Sequence, residues 1–105
     1  MTTIYIESPA ETNGVHQLVR AAIESEINRL ELALAMARKR MEPFETQYGV
    51  TSNFFMEEMA AEDLKGGDDE YVHWAGEYKL TERLQHKLRQ LKEIDYGDPR
   101  ILRRD

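Results

Sequence analysis

Apolar side chains return at steps of four and three through the first half of the chain, at Ile23, Ile27, Leu30, Leu34, Ala37 and Met41. Phe44 and Tyr48 continue the steps, and Val15, Leu18, Val19 and Ala22 widen the stripe at its start. A heptad seam sustained this long predicts a helix over 15–48 that packs against another helix. Pro43 lacks a backbone N–H and crowds the preceding turn, so it is expected to kink this helix near Met41. A second stripe, Tyr71, Trp74, Ala75, Tyr78, Leu84, Leu88 and Leu91 with Thr81 in a gap, predicts another long helix over 70–96. Leu80 and Ile94 lie off that stripe, so this helix is expected to meet more than one neighbour.

Punctuation between the two stripes predicts a short helix. Gly49 follows the first seam and is a natural helix stop. Thr51 and Ser52 are candidate caps for a helix over 53–64 whose inner side is Phe55, Met59 and Leu64. Gly66-Gly67 ends it, and Asp68 or Asp69 caps the next, with Glu70 placed where the helix dipole favours an acid. Residues Thr2 to Glu7 alternate Ile4 and Ile6 with Thr3 and Tyr5, which predicts a short strand. Pro9, Asn13 and Gly14 predict a loop after it, with Thr12 or Asn13 capping the first helix. Gly97 and Pro99 mark the end of the last helix, leaving a basic tail over 97–105. The expected architecture is all-α: a long antiparallel helical hairpin with a short helix at its elbow, in one domain, with an N-terminal arm over 1–14.

One hairpin has little core, and small domains bury a low fraction of their surface. The seams are therefore expected to form an oligomer, a dimer closing a four-helix bundle first of all. Its interface residues would be Ile23, Ile27, Leu30, Leu34, Ala37 and Met41 on one helix and Leu84, Leu88 and Leu91 on the other. Phe44, Tyr48, Phe55, Met59, Tyr71, Trp74 and Tyr78 are expected to form a structural core at the elbow.

Charge changes this picture, because it is unevenly placed. The 105-residue chain has a formal net charge of −6. Residues 42–77 hold ten acids and one base, Lys65, whereas residues 78–105 hold five acids and eight bases. The overall balance argues against non-specific nucleic-acid binding, which needs a clustered positive surface. The acidic middle suits a basic partner or head-to-tail association. With no cysteine, thiolate metal sites and cysteine nucleophiles are excluded. No apolar run reaches the roughly 20 residues of a membrane span, and no secretory leader is visible. A cytoplasmic protein with no membrane contact and no cofactor is expected.

Catalytic chemistry is thin. Glu70-Tyr71-Val72-His73 has the Glu-x-x-His spacing of di-iron bundles. A site there needs an inward glutamate from the first helix, where Glu24, Glu26 and Glu31 all lie off the seam. His16, His73 and His86 are far apart, and no serine or lysine is paired with a base, so an enzyme is not expected. A strand followed by a helix is also the layout of ribbon-helix-helix DNA binders, but this strand offers Thr3, Tyr5 and Glu7 instead of basic or amide side chains. Arg38-Lys39-Arg40 is too short for a nucleic-acid patch.

The run FETQYGVTSNFFMEEM, then GGDDEYVHWAGEY and a leucine-rich helix, resembles small prokaryotic helical antitoxin-like proteins encoded beside small toxins. The resemblance spans about residues 15–95. The uninterrupted first helix of those proteins is departed from at Pro43, and the N-terminal strand is not part of their pattern. The resemblance implies a non-enzymatic protein that neutralises a small basic partner, and Asp68, Asp69 and Glu70 are the candidate contacts. Two other functions fit the same residues: a self-assembling structural or regulatory module without a toxin, and a metal-binding bundle using Glu70 and His73.

Overall fold

The computed structural model describes residues 2–4 and 12–96, with side-chain surroundings described over 14–94. Its order is β1 (Thr2–Ile4), α1 (Thr12–Tyr48), α2 (Ser52–Glu58), a 3₁₀ turn (Ala61–Asp63), α3 (Gly67–Lys92) and β2 (Ile94–Tyr96). The fold is all-α in its core, with α1 packed against α3 as a hairpin and α2 at the elbow. None of the described helices is long and apolar enough to cross a membrane.

The chain divides into two compact units, Leu32–Gln85 and Met1–Glu31 with His86–Asp105. In the first, which we call the elbow unit, α1 and α3 are antiparallel. Arg40 meets Glu77 across them at 2.6 Å, and Tyr48 donates to Glu70 about two turns further along. Leu34, Ala37 and Met41 of α1 and Trp74, Ala75 and Leu84 of α3 are buried in it, together with Phe55 and Leu64. In the other unit, Leu30, Leu88 and His16 are buried among the described residues. Lys92 reaches Glu31 at 3.1 Å, and β1 pairs in parallel with β2, Thr2 opposite Ile94 and Ile4 opposite Tyr96.

Helix α1 runs through Pro43 without a break; the proline removes one backbone donor, and the packed seam on either side carries the helix past it. Several expected boundaries are corrected. Thr12 and Gly14, expected in a loop, are already helical. The short helix is not continuous over 53–64. Met59 leaves it in an extended conformation, and Asp63 takes the Ala60 N–H at 2.8 Å, so the chain re-enters as a single 3₁₀ turn. The last helix stops at Lys92, not at 96, because Ile94 and Tyr96 exchange helical bonds for pairing with β1. The strand itself is Thr2–Ile4; the remainder of the predicted strand, to Glu7, and the tail over 97–105 lie outside the described residues.

Helix boundaries at the elbow follow local chemistry. Gly49 has φ of +65°, a left-handed conformation that a glycine adopts without a Cβ penalty. That geometry lets the N–H groups of Gly49 and Val50 both reach the Glu45 carbonyl, at 2.8 and 3.3 Å, closing α1. Thr51 then caps α2, its Oγ1 accepting from the Phe54 N–H at 3.1 Å.

Candidate partner-binding surface at the elbow

The elbow is built on Trp74, which has 0% exposure. Phe55 of α2 stacks on the indole with centroids 3.9 Å apart and planes 1° from parallel. Phe44 and Tyr48 of α1 lie nearly parallel to it as well, at 5.3 and 5.8 Å. Tyr71 tilts against Phe55 at 5.0 Å, and Met59 and Tyr78 pack on the same cluster. The aromatic residues expected to be structural are thus gathered in one place. Aromatic pairs add about 0.5–1.5 kcal/mol each beyond the area they bury.

A chain of hydrogen bonds satisfies the polar atoms that this cluster buries. The indole Nε1–H donates to Ser52 Oγ at 2.8 Å. Ser52 donates its hydroxyl and its backbone N–H to Glu45 Oε2, at 2.7 and 3.0 Å. A buried indole N–H without an acceptor costs stability, so Ser52 and Glu45 are part of the fold. Neither was singled out as a core residue from sequence. The available signal was a serine directly after the Thr51 cap and a glutamate one turn before the Gly49 stop.

A second set of bonds ties α3 to the elbow. Glu70 Oε1 accepts from the Tyr48 hydroxyl and from the Gly66 N–H at 3.2 Å, while Tyr48 Oη accepts from the Lys65 N–H at 2.9 Å. A Cβ on Gly66 would stand 2.9 Å from the Glu70 Cβ, so glycine is what allows the approach. Desolvation, and then the bond to Glu70, push the Tyr48 phenol above its ordinary pKa. Glu77 holds Arg40, whose guanidinium is pushed further up by that bond. His73 lies with its edge to Phe44 at 5.2 Å and its Nε2 at 3.8 Å from Glu77.

These contacts sort the acids of the middle region. Glu45, Glu70 and Glu77 are half-buried and engaged inside the unit, and Asp63 caps a turn. Glu42, Glu57, Glu58, Glu62, Asp68 and Asp69 are exposed, with no ion pair among the described residues. Of the three expected partner contacts, Asp68 and Asp69 are therefore on the surface. Glu70 is turned inward, because Tyr48 and Gly66 offer it two donors. Phe54 is 47% exposed on α2, three and four residues before Glu57 and Glu58.

The residues expected to form an oligomer seam are distributed over both units. Leu34, Ala37, Met41 and Leu84 are buried within the elbow unit, and Leu30 and Leu88 within the other; Ile23, Ile27 and Leu91 are half-buried. Leu30, Leu34, Ala37, Met41, Leu84 and Leu88 are thus buried within a single chain. The Glu-x-x-His pair is not brought together as a site, because Glu70 faces Tyr48 and His73 faces Glu77. No group of three or more histidine and acidic residues among the described residues is placed to hold a metal ion. Comparison with family models, with curated proteins and with solved structures finds no match.

Proposed function

We propose that this chain is a non-enzymatic, antitoxin-like binding protein that neutralises a small basic partner protein. The observation that carries the reading is the set of six exposed acids, Glu42, Glu57, Glu58, Glu62, Asp68 and Asp69, carried on the unit with the aromatic core, with Lys65 the one base in the sequence between 42 and 77. Like charges held on a fixed scaffold repel one another, and a cationic surface relieves that repulsion while being steered to it by the field. The partner would be a cationic protein, with nucleic acid and membranes disfavoured by the same negative surface. A non-enzymatic role is supported by Ser52, whose hydroxyl is buried between Glu45 and Trp74, and by Tyr48, whose hydroxyl is committed to Glu70 and Lys65. A cytoplasmic location belongs to the same reading.

Co-expression with the product of the neighbouring reading frame tests it. Expression of that product alone is expected to arrest growth, and co-expression of this chain to relieve the arrest and yield a complex on purification. A neighbour that is neither toxic nor bound would remove the antitoxin reading. The second reading, a self-assembling helical module without a toxin, is favoured by the exposed apolar side chains of Leu32 and Met36 on α1.

A further inference from the structure

Helix α2 has a buried side and an open one. Phe55 is fully buried against Trp74, whereas Phe54 beside it is 47% exposed. Glu57 and Glu58, three and four residues on, lie next to Phe54 on the helix surface and are exposed. They stand in the last turn of α2, which holds no basic residue. At that end the helix dipole disfavours an acid and favours a cation. Neither carboxylate forms an ion pair among the described residues. This face therefore joins one apolar ring to two uncompensated acids. It is complementary to a segment in which apolar and basic side chains lie close together.

The chain itself contains such a segment. Residues 100–104 read Arg-Ile-Leu-Arg-Arg. In an extended segment alternate side chains share a face, so Arg100, Leu102 and Arg104 fall together, while Asp105 joins Ile101 and Arg103. Leu102 and Arg104, two residues apart, are separated by about 6.6 Å in that conformation. Phe54 and its acids are separated by about one helical turn, roughly 5.4 Å. A segment laid along α2 can thus put Leu102 on Phe54 and the Arg104 guanidinium at Glu57 and Glu58 in one register. Guanidinium–carboxylate contacts are among the stronger charged hydrogen bonds. Chain length assigns the segment to another copy. Phe55 meets Tyr71 at 5.0 Å, and α3 continues for about 32 Å beyond Tyr71. Leu102, six residues past Tyr96, has a reach of at most about 22 Å.

We infer that the Phe54, Glu57 and Glu58 face of α2 docks residues 100–104 of a second copy of this chain. The contact is heterologous, since a face on one copy meets a different segment of the next. It is small and charged, so the association is weak, concentration-dependent and screened by salt. It draws on two acids of the proposed partner surface but does not need that partner. A cationic partner and residues 100–104 of another copy would compete for the same two carboxylates.

Sedimentation equilibrium of the full chain by itself, over a concentration series at low and high salt, tests this. Because no other protein is present, its outcome is independent of the co-expression experiment. The mean mass is expected to rise above the 12.3 kDa chain mass with concentration at low salt and to fall back toward it at high salt. One variant carries Glu57→Lys and Glu58→Lys, and another carries Arg100→Glu and Arg104→Glu. Each should weaken association by about tenfold or more, since like charges then face each other. Their circular dichroism should match the parent, which separates lost association from lost folding. The decisive sample is an equimolar mixture of the two. There the unchanged arginines of the first variant meet the unchanged acids of the second, and the introduced lysines meet the introduced glutamates. That mixture is expected to associate where neither variant does alone. Phe54→Ser, which leaves every charge in place, should weaken association by about fivefold. A chain monomeric at every concentration would overturn the inference. So would association indifferent to Arg100 and Arg104, a loss that mixing does not restore, or a Phe54→Ser chain that associates like the parent.

Discussion

The two units of this chain spend similar helices very differently. The elbow unit wraps α1, α2 and α3 around one tryptophan, stacks three rings on it, and satisfies its indole N–H through Ser52 and Glu45. Among the described residues of the other unit are two buried apolar side chains, Leu30 and Leu88, a buried histidine, one surface ion pair across its helices and a pair of three-residue strands. Surface ion pairs contribute about 0–1 kcal/mol, and a two-stranded ribbon this short adds little by itself. The lesson is that one buried aromatic with a complete set of partners ties segments from three helices together within the elbow unit. The exposed acids sit on the unit so organised.

The largest expected effect breaks the elbow. Trp74→Ala removes a fully buried indole together with three stacked rings' contacts and should cost about 3–5 kcal/mol, read from urea unfolding. The tryptophan emission of the parent should be that of a buried indole. A Trp74→Ala chain of unchanged stability would erase the contrast between the two units.

Ser52→Ala is next. It leaves the indole N–H without its acceptor and Glu45 without the hydroxyl it accepts from, and should cost about 1–3 kcal/mol. Ser52→Thr, which keeps a hydroxyl, should lose less if the added methyl is accommodated. Equal losses for the two variants would show that volume and not the hydrogen bond matters at this position.

Tyr48 sharpens the comparison through pH. Its phenol is held above the ordinary tyrosine range by desolvation and by the bond to Glu70. An acid whose pKa is raised by folding stabilises fully below its unfolded value and loses that contribution as pH rises through the folded value. The stability difference between the parent and Tyr48→Phe should therefore be constant below about pH 9.5 and shrink above about pH 10. A difference that instead grows with alkalinity would contradict the assignment. The smallest effect belongs to the other unit: Leu18, 72% exposed, should tolerate Leu18→Ala within about 0.5 kcal/mol by the same unfolding measurement.

How much of this was legible in the sequence depends on the kind of signal. The two long helices were legible because their apolar steps persist across many turns. The Thr51 cap and the Gly49 stop were legible because each solves a local backbone problem. What the seam packs against was not, since heptad spacing describes a face and says nothing of whether its neighbour lies in the same chain. Leu30, Leu34, Ala37 and Met41 are buried within their own chain. Glu70 read as a surface charge, yet its contacts come from Tyr48 and Gly66, 22 and four residues away. Strand β2 was hidden because three residues are too few to show a period, and the alternation of Ile94, Asp95 and Tyr96 acquires meaning only beside β1.

The central claim is that recognition resides in the exposed acids of the elbow unit and not in the charges of the other. The most direct measurement compares two charge-reversed chains for association with the product of the neighbouring reading frame, by stopped-flow kinetics at two ionic strengths. One carries Glu57→Lys, Glu58→Lys and Asp69→Lys; the other carries Glu24→Lys, Glu31→Lys and Glu93→Lys. Each changes the net charge equally, so a difference between them reports location. The account predicts that the elbow reversal slows association by about tenfold or more and abolishes its acceleration at low salt, while the other reversal changes both far less. Equal slowing by the two chains, or a loss confined to the second, would contradict it.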